Sequence, residues 1–403
     1  MTKECIGCGA PEVVCMLDLG MQPPSNLYPL NSDEGCIAHP LRFCLCKRCG
    51  LPQLLEPMTP DDVRSRYDWI TYNEPEGHLD DLVDSVCQKI PEMEGVKILG
   101  MTYKDDTTLA RFCRKGATTY RLDQKRDLGI NNSMASLETI QSTITTEKVA
   151  EIVARNGLND IVIVRHILEH AHQPREMLRA ALAMCKSEGQ VIFEVPDCTK
   201  VFSGYDHCFL WEEHISYFTP AILRNFLMRS GLSNVEFKVY SYPMEDSLVA
   251  IIKNTKTNVI NDDFPSTKSN DLVFQFVDSF EERKRQVAQY LRRMQLAGKR
   301  IALFGAGHLA VKFINFYQLS ALLVGVIDDN SNKLGRYMPG SMLPIMPSST
   351  LESGEVDLCL LTLNPESEQK VRNARQQYLH NGGRFISIFS SSANSLDKEI
   401  LND

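Results

Sequence analysis

Hydrophobic positions change period several times along the chain, and the changes mark its elements. Leu79, Leu82, Val83 and Val86 recur at helical spacing and predict a helix over about 78–90 with one buried face. Short apolar runs then take over. Val96-Lys-Ile-Leu-Gly100, Thr118-Thr-Tyr-Arg-Leu-Asp123, Asp160-Ile-Val-Ile-Val-Arg165 and Gln190-Val-Ile-Phe-Glu-Val-Pro196 predict strands, with helices between them over 107–115 and 173–184. Thr59-Pro60 and Thr219-Pro220 each put an N-cap before a proline already bent for a first helical turn. Residues 254–270 are polar, with Asp262, Asp263 and Pro265, and read as a linker. A long amphipathic helix over about 271–295 follows it. Strands are predicted beyond at 299–304, 322–328, 356–363 and 384–389, with helices from Gly305-Ala-Gly307 and over 366–378.

Strands alternating with helices imply an α/β fold of mainly parallel, doubly wound sheets that bind ligands at the carboxyl ends of their strands. The chain has 403 residues, too many for one core. Its 43% hydrophobic and 23% charged content is that of a soluble globular protein. A net charge of -8 argues against nucleic acid as a partner. No apolar run approaches the ~20 residues of a bilayer span, and Lys3 and Glu4 stand where an export signal would be apolar. A cytoplasmic protein without a membrane partner is expected, as a monomer or homodimer.

Thirteen cysteines sharpen that picture. Six are scattered singly from Cys87 to Cys359, which suits a reducing compartment. Cys5-Ile-Gly-Cys8 and Cys46-Lys-Arg-Cys49 are each followed by a glycine, and the two-residue spacing lets both thiolates of a pair meet one ion. Cys5, Cys8, Cys46 and Cys49 therefore predict a closed, structural zinc site in a small domain over 1–58. The other readings are unmetallated thiols or a redox pair, and Cys15, Cys36 and Cys44 are spare sulfurs nearby. Leu27-Tyr-Pro-Leu30 and Pro40-Leu-Arg-Phe-Cys44 are the strand candidates between the knuckles.

Phe209-Leu-Trp-Glu-Glu-His-Ile-Ser-Tyr-Phe-Thr-Pro220 carries the other chemistry. Glu213 and His214 sit just outside a helix N-terminus among Trp211, Tyr217 and Phe218, where a proton-transferring pair can be tuned. The alternative is a loop whose aromatics anchor the helix. Asp123 ends a strand, where a carboxylate can accept ribose hydroxyls. Gly305-Ala-Gly307-His308-Leu-Ala310, with Asp328 ending the next strand, is a phosphate-cradling turn or a turn shaped for close helix–strand packing.

In this order the pieces resemble the sugar C-methyltransferases of bacterial nucleotide-sugar pathways, over essentially the whole chain. The resemblance rests on the two cysteine knuckles, on Leu19-Gly-Met-Gln-Pro-Pro-Ser-Asn26, Leu168-Glu-His170, Phe193-Glu-Val-Pro196 and Glu213-His214-x-Ser-Tyr-Phe218, and on Phe304-Gly-Ala-Gly307, Asp328 and Lys333-Leu-Gly335. It implies a zinc domain over 1–58, a Rossmann-like S-adenosylmethionine domain over 59–255, a linker over 256–270 and a second Rossmann-like domain over 271–403. The implied substrate is a nucleotide-linked keto sugar. His214 is the implied base, aided by Glu213, with Tyr72 or Tyr217 donating to the enolate oxygen. Gly100, Asp105, Asp106, Asp123 and His166 are the implied cofactor residues. Gly305, Gly307, His308, Asp328 and Lys333 are the implied substrate-binding residues.

Two departures accompany the resemblance. The loop after Lys97-Ile-Leu-Gly100 lacks the usual acid before it and the usual glycines in it, and carries Tyr103 and Lys104 instead. Trp211 and Glu212 stand where members usually carry a Tyr-His pair. A donor-independent proton transfer on a nucleotide sugar, such as epimerisation, and a non-catalytic binding partner are the alternatives. A nicotinamide reductase is a further one, without an evident Tyr-x-x-x-Lys pair.

Overall fold

The computed structural model describes residues 4–70, 74–132, 135–255 and 270–402. Tyr72 and nearly all of the expected linker lie outside them. The described chain forms two compact units. The first takes the chain up to Cys15, Cys44–Thr199 and Glu213–Asn270; the second takes Met16–Phe43, Lys200–Glu212 and the chain from Asp271 onward.

Fourteen strands occur among the described residues. They are β1 (Val13–Gln22), β2 (His39–Cys46), β3 (Pro52–Leu54), β4 (Lys97–Gly100), β5 (Thr118–Arg121), β6 (Asn159–Arg165), β7 (Cys185–Asp197), β8 (Val235–Tyr240), β9 (Asp246–Lys253), β10 (Ile301–Phe304), β11 (Gly325–Ile327), β12 (Ile345–Met346), β13 (Leu358–Leu361) and β14 (Arg384–Ser387). The first three form a sheet in sequence order. Leu27–Leu30 is not a strand; the long strand that pairs with β2 is β1, which lies earlier.

The six-stranded sheet runs β5-β4-β6-β7-β9-β8. Its first four strands are parallel, whereas β9 is antiparallel to both neighbours. β4 is flanked by β5 and β6, so the chain reverses winding direction there and leaves a crevice at the carboxyl ends of β4 and β6. Burial follows the pleat. Val162 and Val164 of β6 join Leu99, Val191 and Phe193 on one face. Ile161 and Ile163 join Ile98, Ile192, Val249 and the Leu79, Leu82, Val83, Val86 face of the helix Leu79–Cys87 on the other. The second unit's sheet, β12-β11-β10-β13-β14, is wholly parallel, with its own reversal between β10 and β13. The helix expected over 271–295 is two, Asp271–Asp278 and Phe280–Leu296.

At the end of β5 the turn around Asp123 is held by a buried carboxylate. Asp127 accepts from Asp123 N at 2.9 Å, from Arg126 at 2.9 and 3.1 Å, and from Arg155 at 2.9 Å. Burial alone would raise its pKa, but these donors outweigh that and bring it down to about 2. A folded value below the unfolded one stabilises the fold above about pH 4 and loses that stabilisation as pH falls toward 2. Asp127→Asn is therefore expected to cost about 1–3 kcal/mol at pH 7 and next to nothing near pH 2, read by denaturant titration at both pH values.

Candidate active site

The loop after β4 is built around its own acid. Thr102 N and Arg165 N donate to the two oxygens of Asp105 at 2.8 and 3.0 Å, and the side chain is completely buried. Burial pushes its pKa up to about 7 despite those donors. Gly100 is required by this packing: a Cβ there would stand 2.8 Å from both Asp105 Cβ and Leu109 Cδ1. Asp105, one of the implied cofactor residues, thus faces inward and holds the loop. Asp106 lies on the surface paired with Arg121, and Asp123 is exposed, its Oδ1 accepting from Arg126 N at 2.6 Å.

β6 ends in Arg165 and His166, and His166 adopts left-handed backbone, φ 49°. Their shared partner is Glu194 of β7, wholly buried. Glu194 meets Arg165 Nε at 2.5 Å, His166 Nε2 at 3.1 Å, His78 Nε2 at 3.0 Å and the Ser247 hydroxyl at 2.8 Å. Burial would raise the Glu194 pKa, but His166, His78 and Arg165 hold it well below the carboxylate range. His166 Nδ1 lies 3.4 Å from Glu169 and 3.9 Å from Glu74. Burial would lower the imidazole's pKa; Glu74, Glu169 and Glu194 overcome it and raise it to about 10, so His166 is cationic at neutral pH. Lys104 extends the cluster by pairing with Glu74 at 2.8 Å.

The Glu213–His214 segment is delivered to this end of the sheet by backbone bonds. Ile215 N and Ser216 N donate to the Glu169 carbonyl at 2.7 and 3.1 Å. Tyr217 N donates to Pro52 O and Leu54 N to Ile215 O, so β3 runs antiparallel beside it. Around the segment, His170 Nδ1 lies 2.9 Å from Glu138, and the His170 and His214 rings meet edge to face at 4.8 Å. Ligand-type atoms of Glu138, His170 and Glu213 fall within 4.8 Å of one another, and so do those of Glu169, His170 and His214. Tyr217 is fully buried.

β3 follows the second cysteine knuckle. Cys5 Sγ lies 3.5 Å from Cys49 Sγ, Cys8 Sγ lies 3.7 Å from Cys46 Sγ, and all four sulfurs lie within 4.8 Å of one another. Four ligands about 2.3 Å from one zinc at tetrahedral angles stand about 3.8 Å apart, so the set fits the ion closely. The knuckles repeat each other: Gly9 N donates to Cys5 O and Gly50 N to Cys46 O, both at 2.8 Å, and both glycines have φ near 75°.

In the second unit, the turn after β10 divides the two readings of its glycines. A Cβ on Gly305, whose φ is 102°, would stand 2.6 Å from Leu363, so this glycine serves close packing. Gly307 faces open space and caps the helix His308–Tyr317. Asp328 accepts from Ala306 N at 2.8 Å and from Lys333 Nζ at 3.0 Å, and Lys333 also reaches Ala306 O. His308 stacks on Trp211 at 4.4 Å. Glu212 is buried against Lys312 and accepts from Ser25 N.

Sequence reasoning brought forward Glu213, His214 and His166 but not Glu138, Glu169, His170, Glu194 or His78 as site residues. A signal for part of this set lay in Leu168-Glu-His170 at a strand end. Glu138 sits on a short helix, Leu137–Thr143, with nothing local to mark it.

Three family descriptions match the chain in succession: a zinc binding domain over residues 5–63, a methyltransferase domain over 113–237 and a C-methyltransferase C-terminal domain over 262–389. The C-methyltransferase NovU of Streptomyces niveus is 24% identical over 412 residues, covering 95% of this chain and 94% of that protein. Among solved structures, the 1,6-didemethyltoxoflavin-N1-methyltransferase of Burkholderia thailandensis is 12% identical over 45% of this chain and 78% of its own, with a TM-score of 0.30. The magnesium protoporphyrin IX methyltransferase of Synechocystis PCC 6803 is 12% identical over 45% of this chain and 90% of its own, also at 0.30. Structural likenesses at that level carry no weight beside the three consecutive domain matches. Among the described residues no helix is long and apolar enough to cross a membrane. The chain therefore carries a zinc-binding domain, a methyltransferase domain and a C-methyltransferase C-terminal domain in that order, and is similar over nearly its whole length to a C-methyltransferase.

Proposed function

We propose that this enzyme methylates a carbon next to the carbonyl of a nucleotide-linked keto sugar. One observation carries the reading: a buried Glu213 and a half-buried His214 are fixed by backbone bonds beside Glu138, Glu169 and His170, at the ligand-binding end of a doubly wound sheet. The pair accepts the proton from that carbon, and the C–H electron pair becomes the enolate. A base needs this placement and a neighbour that steadies its charge, and the pair is the site's best-held candidate.

The family implies S-adenosylmethionine, and the chain's residues fit its nucleoside end. Asp123 is an exposed acid at the end of β5 for the ribose hydroxyls, and the β4–β6 crevice adjoins it. When bound, the cofactor supplies an electrophilic methyl group for the nucleophilic carbon. Asp105 is completely buried with each oxygen bonded to a backbone N–H, so it does not face the cofactor's amino-acid end. In the second unit the open Gly307 at a helix N-terminus supports recognition of a nucleotide diphosphate.

The test is a panel of nucleotide-linked keto sugars in deuterated buffer, with and without the methyl donor. Deuterium exchange next to the carbonyl, and a 14 Da gain when the donor is added, are expected. Exchange without the gain would favour donor-independent proton transfer, as the inward-facing Asp105 would allow. Neither signal on any member of the panel would overturn the proposal.

A further inference from the structure

We propose that Glu74 and Lys104 hold the amino-acid end of the methyl donor, Glu74 taking its ammonium group and Lys104 its carboxylate. The inference rests on the proposed use of S-adenosylmethionine and assigns the end of that molecule which Asp105 does not face.

The loop after β4 creates the need for such a pair. Between Gly100 and Gly116 the chain has no glycine to bring its backbone against a ligand. Asp105 is turned into the core, where Thr102 N and Arg165 N bond its two oxygens. A zwitterion at the carboxyl end of β4 therefore has to be recognised by side chains, and it calls for one of each charge.

Glu74 and Lys104 supply them. Lys104 Nζ lies 2.8 Å from Glu74 Oε1, with 9% of the lysine side chain and 24% of the glutamate side chain exposed, so neither is sealed from solvent. The Lys104 main chain is fixed: its N donates to Thr102 Oγ1 at 3.2 Å, and its carbonyl accepts from Arg165 Nη1 at 2.6 Å. His166, just beyond β6, lies 3.9 Å from Glu74 Oε2. The pair thus stands at the ends of the two strands that border the crevice. Burial would raise the Glu74 pKa, but His166 and Lys104 bring it down to about 2, so the carboxylate is ionised at neutral pH.

An ion pair is a ready receptor for a zwitterion. Opening it gives up one charge-assisted contact and gains two, provided that the ligand brings both charges. A ligand with only one charge exchanges one contact for one and leaves the other member of the pair short of its partner. Recognition is therefore all or none for the two groups, unlike that of a site built from independent donors and acceptors.

The experiment uses the full, zinc-loaded chain and calorimetry with S-adenosylhomocysteine, its decarboxylated and deaminated analogues, and 5′-methylthioadenosine, which lacks the amino-acid end. S-adenosylhomocysteine is expected to bind at least about 30-fold tighter than 5′-methylthioadenosine, and each single-charge analogue no better than 5′-methylthioadenosine. Glu74→Gln and Lys104→Met should each remove that advantage and leave the affinity for 5′-methylthioadenosine unchanged, which also shows that the variants are folded. If a variant does not fold, the ligand series on the unaltered protein decides. A single-charge analogue that binds nearly as tightly as S-adenosylhomocysteine overturns the clamp, as do folded variants that keep the advantage. Equal affinity for S-adenosylhomocysteine and 5′-methylthioadenosine overturns the clamp and leaves the donor reading standing. Binding of neither at millimolar concentration overturns both.

Discussion

Glu213→Gln and His214→Ala should each lower turnover by about 10²–10⁴-fold, the range supplied by a positioned general base. The deuterium exchange that precedes methylation should fall by a similar factor. Folding should be spared, because the segment is held by main-chain atoms. Ile215 N and Ser216 N bond to Glu169 O, and Tyr217 N bonds to Pro52 O, and none of these depends on the two altered side chains. Exchange is the sharper measurement, since it reports proton removal without the methyl donor. If both variants exchange at the wild-type rate, the proton goes elsewhere, and His170 paired with Glu138 becomes the next candidate. A fall in methylation with unchanged exchange would place the pair after proton removal.

The elements that position this pair were legible where one period governs the sequence. Ile161-Val-Ile-Val164 is apolar throughout because β6 lies between two core clusters, so its strand is evident without any partner. The break between Asp271–Asp278 and Phe280–Leu296 was not legible. Val273, Phe276, Phe280, Val287 and Leu291 are all buried and keep a helical period across it. The Ser279 hydroxyl bonds back to Phe276 O where the helix stops, a local competition that no hydrophobic pattern records. Leu27–Leu30 looked like a strand from its apolar residues, but Tyr28 spends its burial on a hydrogen bond to Ala306 O.

Within the site, Glu213 and His214 could be found because they are adjacent and flanked by aromatics. The groups around the pair, and the buried cluster at the ends of β6 and β7, come from distant segments. Glu138 meets His170, and His78, His166 and Glu194 converge from β6, β7 and a helix start. Such sets exist only after the sheet is assembled. Asp105 makes the same point in reverse: an acid in a strand-end loop reads as a ligand until its two backbone donors are seen.

Removing the zinc should have the second large effect, and it should reach the pair through β3. Cys5, Cys46 and Cys49 belong to the same hydrophobic cluster as Met101, Phe218, Phe226 and Leu227. A structural zinc contributes its binding free energy to the fold, so Cys46→Ser or stringent chelation is expected to cost several kcal/mol. Crowded, buried thiols also cannot all ionise without a cation: Cys46 and burial push the Cys5 thiol upward, and Cys49 rises for the same reasons. Gln53 Oε1 accepts from Ile6 N at 3.0 Å, Asn225 Nδ2 donates to Cys49 O, and Leu54 N donates to Ile215 O at 2.9 Å. The knuckles, β3 and the Ile215–Tyr217 segment are therefore one hydrogen-bonded assembly. Zinc-depleted protein should show faster amide exchange at Ile215 and Tyr217 than at β6, whose bonds lie within the parallel sheet. Substrate deuterium exchange should fall with zinc content. A zinc-free Cys46→Ser protein with unchanged melting temperature and unchanged amide protection at Ile215 would show that the metal holds only its own knuckles. Protection lost at Ile215 while β6 stays protected would make the zinc a positioning element for Glu213 and His214, since four thiolates leave it no open coordination position for substrate.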